Sequence, residues 1–94
     1  MLLARAGAWY VAEMSRVLLL DADTTHDVFE LVELTETLAR VRTAFLYEIG
    51  EEMRLRVEQD GGPASEALAR VRAHTGAGDN KVTELELIER TAAR

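Results

Sequence analysis

The chain contains no cysteine, one proline (Pro63) and few aromatic residues. Without cysteine there is no disulfide and no thiolate metal ligand, so 94 residues must hold together by packing or by association. The scarcity of proline and aromatics speaks against sandwiches and barrels and for helices. No unbroken apolar run of about 20 residues occurs, so a membrane-spanning helix is not expected. Arg5, Glu13 and Arg16 interrupt the apolar-rich stretch Met1 to Leu20. Glu13 also falls where the apolar part of a signal peptide would lie, which points to a cytoplasmic protein. Basic residues are missing between Asp21 and Ala39, where Asp21, Asp23, Asp27, Glu30, Glu33 and Glu36 accumulate. With a net charge of −6, such a surface repels phosphate, so nucleic acid is not an expected partner.

Alanine, leucine, glutamate and arginine dominate what is present, and all four are strong helix formers. The expectation is an all-α single domain over 1–94, with helices at about 2–19, 25–59, 63–74 and 81–92. The second helix carries the argument. Val28, Leu31, Leu34, Leu38, Val41, Phe45, Ile49, Met53 and Val57 step by three or four, the spacing of one helical face. Such a helix would be roughly 50 Å long at 1.5 Å per residue. A compact domain of this size has a radius of gyration of about 12–13 Å. The helix therefore kinks at Gly50 or is covered by a second subunit, giving a small bundle completed by dimerisation. A competing reading makes Arg16 to Leu20 a buried strand, because Arg-Val-Leu-Leu-Leu-Asp-Ala-Asp resembles the first strand of a receiver domain. The alternation of strands and helices such a domain requires is not evident, and the helical reading is preferred.

Breaks fall at Asp21 to Thr25, at Asp60-Gly61-Gly62-Pro63 and in the glycine-rich stretch Thr75 to Asn80. Thr24 or Thr25 suits a helix N-cap, and glycine followed by proline suits a helix end and a new start. One internal similarity recurs at an offset of thirty residues: Thr35-Glu36-Thr37-Leu38-Ala39-Arg40-Val41-Arg42 against Ser65-Glu66-Ala67-Leu68-Ala69-Arg70-Val71-Arg72. It reads either as a repeat or as two amphipathic helices built from the same residues.

Chemistry-bearing constellations are sparse. Asp21, Asp23, Thr25 and Asp27 alternate as in a calcium loop, but His26 stands where glycine is required and Val32 where glutamate is required. His26 and His74 lack the helical pairing of a zinc site, and His74 reads as a helix-end residue. No metal or other cofactor is expected. Gly76-Ala77-Gly78 lacks the residues that complete a phosphate loop, and Ser15 and Ser65 have no adjacent base. Arg40, Arg42 and Arg54 remain as candidate anion-binding residues, since guanidinium groups grip carboxylates in a fork.

Arg42, Glu48-Ile49-Gly50, Gly62-Pro63 and Glu66 are similar in layout to the small all-helical chorismate mutases. That resemblance implies an intertwined dimer with a long helix, and it goes with an alternative function, a small helical-bundle enzyme with an arginine-lined anion pocket. It departs at Met53, where a lysine is expected, and at Ser65, where an arginine is expected. A helix-turn-helix regulator is a further alternative, but Glu84, Glu86 and Glu89 offset the basic residues of the last helix. The expected function is thus a non-enzymatic interaction or assembly module. It would self-associate as a homodimer or other homo-oligomer, or bind another protein, through Leu31, Leu34, Leu38, Val41, Phe45, Ile49 and Met53.

Overall fold

The computed structural model describes residues 15–59 and 63–92. Most of the first expected helix, and the turn expected at Asp60 to Gly62, lie outside them. The described chain is a seven-stranded antiparallel β-sheet, which overturns the all-α expectation and the helical bundle with its long central helix. The strands are β1 (Arg16–Asp21), β2 (Thr24–His26), β3 (Glu30–Leu34), β4 (Leu38–Arg42), β5 (Glu52–Glu58), β6 (Ser65–Thr75) and β7 (Val82–Ala92). Their order across the sheet is β2-β1-β5-β6-β7-β4-β3. A short 3-10 turn at Gly78–Asn80 is the sole helical element among the described residues. The layout shared with the chorismate mutases and the helix-turn-helix alternative fall with the helices they required.

The strands follow from a period of two that the helical reading passed over. Met53, Leu55 and Val57 alternate with Arg54 and Arg56, so β5 has one apolar and one charged face. Ala67, Ala69 and Val71 do the same on β6, and Leu85 and Leu87 on β7. The apparent helical spacing has two sources. A bulge between Leu31 and Glu33 shifts the register of β3, so Leu31 and Leu34 both pack toward the core although three residues apart. The steps Phe45, Ile49, Met53 and Val57 run from a loop into a strand and skip Leu55, which is fully buried. The strand Arg16 to Leu20, set aside in the sequence reading, is present as β1, without a receiver domain around it.

The sheet curls so that β1 and β3, far apart in strand order, approach each other. Val17, Val41, Leu55, Val57, Val71 and Leu85 fill the interior. Ala39, Ala67 and Ala69 are just as deeply buried. Small residues fit the crowded concave side of a curled sheet, which is why helix-favouring alanines serve here in strands.

The two similar segments lie on β4 and β6, the strands that flank β7. Leu85 pairs with Ala39 on one side and with Val71 on the other. Ala39 and Val41, like Ala69 and Val71, point into the core. Arg40 and Arg70 point away from it. Arg70 pairs with Glu52 at 2.8 Å. Arg40 pairs with Glu33 at 3.2 Å, and its Nε lies 3.4 Å from Glu84, close enough for an ion pair but not aligned as a hydrogen bond. The similarity therefore reflects two strands meeting the same neighbour, not two helices.

The outer face is a lattice of arginines and glutamates. Arg54 meets Glu66 at 3.1 Å, and Arg56 and Arg16 meet Glu58 at 2.9 and 3.1 Å. Exposed pairs of this kind contribute at most about 1 kcal/mol each. The sheet edges are blunted: β2 has three exposed residues, and β3 is bulged and carries Glu30 and Glu33. No described helix is long and apolar enough to cross a membrane.

Candidate interaction surface

The connection from β4 to β5, residues 43–51, crosses the end of the sheet to reach β5 on the far side of β6 and β7. Its backbone is tied down at several points. The Phe45 amide donates to Thr43 Oγ1 at 3.2 Å, a hydroxyl turn at the exit of β4. The Glu51 amide donates to the Glu48 carbonyl at 3.0 Å, and the Glu48 amide to Glu51 Oε1 at 3.1 Å. Between them Gly50 has φ +90°, a conformation that costs a side-chain-bearing residue. Gly50 N–H and Val71 C=O are 2.8 Å apart, as are Val71 N–H and Glu51 C=O, so the loop joins β6 before β5 begins.

A side chain supplies a further tie. His74 Nε2 lies 2.8 Å from the Tyr47 carbonyl oxygen, and His74 Nδ1 lies 3.0 Å from Thr83 Oγ1. A carbonyl oxygen only accepts, so Nε2 carries the proton, and in the neutral ring Nδ1 accepts from the Thr83 hydroxyl. Thr83 is nearly inaccessible, and this bond satisfies it.

Tyr47 turns inward. Its ring packs against the core with centroids 6.2 Å from both Phe29 and Phe45. Burial, and next the Glu51 carboxylate, raise its phenol above the ordinary tyrosine range, so the ring stays protonated and neutral. With Tyr47 inward, its neighbours turn outward. Phe45 is 53% exposed, Leu46 77% and Ile49 60%. Three large apolar side chains thus stand on one anchored loop, and clustered exposure of this kind marks contact surfaces.

The seven residues expected to make contacts separate in the structure. Leu34 and Val41 are core residues and do not face solvent. Leu31 and Met53 pack against that core, and Leu38 is half-buried on β4. Phe45 and Ile49 are exposed and belong to the loop. The sequence reading missed Leu46, the most exposed of the large apolar residues described, because it falls off the helical stripe. It also missed His74 as the anchor.

The three candidate anion-binding arginines do not converge. Arg54 is ion-paired with Glu66 on the outer face, and Arg40 is engaged by Glu33 and Glu84. Arg42 alone borders a cleft of about 540 Å³, together with Asp27, Phe29, Glu30, Asp79 and Lys81. The cleft opens widely to solvent and mixes both charge signs, with Arg42 already 3.7 Å from Glu30. It does not present the guanidinium pocket the enzymatic alternative needs. Among the described residues no three histidine, aspartate or glutamate side chains gather in a metal-holding group.

No protein-family model, curated protein or solved structure matches this chain. The functional reading therefore rests on the loop and its surroundings.

Proposed function

We propose that the protein is a non-enzymatic interaction module that self-associates through the β4–β5 loop. The observation that carries this reading is the exposure of Phe45, Leu46 and Ile49 on a loop whose backbone is fixed by Val71 and His74. A fixed loop loses little conformational entropy on binding, so apolar burial is not spent on ordering it. Three side chains fall short of the roughly 800 Å² per partner of a stable interface. Self-association is accordingly weak, with a Kd on the order of tens of micromolar.

Light scattering coupled to size exclusion tests the reading. The wild-type protein should elute with a mass that rises toward a dimer as concentration increases. The double variant Leu46→Ser, Ile49→Ser keeps the Phe45–Tyr47 contact and should remain a monomer. A wild-type protein that stays monomeric throughout overturns the reading.

A further inference from the structure

Resting on the proposed self-association through the β4–β5 loop, we infer that the occupant of this surface is a second copy related by two-fold symmetry, held in register by reciprocal Arg72–Glu48 ion pairs. Arg72 follows Val71, whose N–H and C=O bond to the loop at Glu51 and Gly50. It precedes, by two positions, His74, which bonds to Tyr47. Arg72 is therefore held beside the loop, between its two ties to β6. Glu48 lies on the loop itself, two residues before Gly50. Both side chains are exposed.

Most arginines of the sheet are matched by a carboxylate of the same chain, and Arg72 is not. Arg16, Arg40, Arg42, Arg54, Arg56 and Arg70 each have a carboxylate within ion-pair distance in the same chain. Among the described residues Arg72 and Arg90 have none, Arg90 being hydrogen-bonded to Gln59 and Ser65 instead, and the loop carboxylates Glu48 and Glu51 have no cationic partner. A cation and an anion left unmatched thus flank the same apolar tip. In an isologous interface each surface meets its own copy, so a residue contacting a second residue is answered by the reverse contact. Phe45, Leu46 and Ile49 of the two copies supply the apolar centre. Arg72 of each copy reaches Glu48 of the other, giving two ion pairs on the rim. A rim of this kind sets register and excludes other pairings more than it adds affinity. A purely acidic rim would instead drive two copies of this chain apart, given its net charge of −6.

Charge reversal tests the inference, with sedimentation velocity as the readout. Arg72→Glu places like charges opposite each other at both rim contacts and should weaken self-association by about tenfold. Glu48→Arg should do the same for the opposite reason. Mixing the two variants should restore association, because both rim contacts of the heterodimer are attractive, one in the native sense and one reversed. Both positions are exposed, and thermal melts close to that of the wild type establish that each variant is folded.

If the wild-type protein associates and Leu46→Ser, Ile49→Ser abolishes it, the loop reading stands. If the charge variants then associate normally, or the mixture does no better than either alone, the Arg72–Glu48 inference is overturned by itself. If a basic peptide is bound in preference to a second copy, the two-fold arrangement is likewise overturned.

Discussion

His74 Nε2 stands 2.8 Å from the carbonyl oxygen of Tyr47, joining the end of β6 to the loop that carries the exposed apolar residues. The bond fixes the ring tautomer, and the opposite nitrogen satisfies the buried Thr83 hydroxyl. His74→Ala removes both bonds and leaves Thr83 without its side-chain partner. It should cost roughly 1–3 kcal/mol in urea unfolding. Amide exchange at residues 45–50 should accelerate more than exchange at Val57 or Ala67, which lie far from the anchor.

The β1–β2 connection makes a separate prediction. Asp21 pairs with Thr24, so the hairpin turn consists of Ala22 and Asp23, and Ala22 has φ +55°. The left-handed region costs an alanine roughly 1–2 kcal/mol that glycine does not incur. Glycine loses more chain entropy on folding, which offsets part of the gain. Ala22→Gly should raise stability by about 0.5–1 kcal/mol, measured as an increased urea midpoint with unchanged slope. A decrease would show that the turn has a different geometry.

The alternation on β5 gives a paired test of the fold. Leu55 is fully buried, whereas Arg54 is exposed and pairs with Glu66. Leu55→Ala should lose about 2–5 kcal/mol through apolar transfer and the cavity left behind. Arg54→Ala should lose no more than about 1 kcal/mol. Similar costs at the two positions would contradict the assignment of inner and outer faces.

Two groups shape the dependence of stability on pH. Hydrogen bonds from Arg56 and Arg16 hold the Glu58 carboxyl below the ordinary carboxylate range. A lowered acid stabilises the fold above its unfolded value, about 4.3, and that contribution disappears as pH falls through the folded value. Glu58→Gln should therefore destabilise slightly at neutral pH, and its melting temperature should converge with that of the wild type on acidification. Tyr47 acts at the other end, because burial and Glu51 raise its phenol and favour the protonated form in the folded state. Its contribution is complete below about pH 10 and is lost as pH rises through the folded value. Tyr47→Phe should flatten the alkaline limb of a stability profile. An unchanged limb would mean that the phenol is not buried as described.

Part of this architecture was legible in the sequence. Met53-Arg54-Leu55-Arg56-Val57 alternates strictly, and Arg16 to Leu20 has the composition of a buried strand. The helical reading prevailed for three physical reasons. The alanines that favour helices sit at Ala39, Ala67 and Ala69, buried strand positions packed among the larger Leu55 and Leu85. The β3 bulge moves Leu31 and Leu34 to one side and imitates a helical step. The apolar loop continues that imitation through Phe45 and Ile49 into β5. Gly50, expected as one place where the long helix could kink, instead turns the loop between β4 and β5. Phe45 and Ile49 are exposed, but as part of a loop and not of a helical stripe. Leu46 and the His74 anchor depend on contacts between segments distant in sequence, which periodicity does not encode.

The loop surface is tested most directly by backbone amide NMR spectra of the wild-type protein over a dilution series. On concentration, resonances of residues 44–50 and Arg72 should shift together along one binding curve, while those of β2 and the Ala22 turn stay in place. Shifts confined to the β2 or β3 edge, or none at the highest concentration reached, would contradict self-association through this loop.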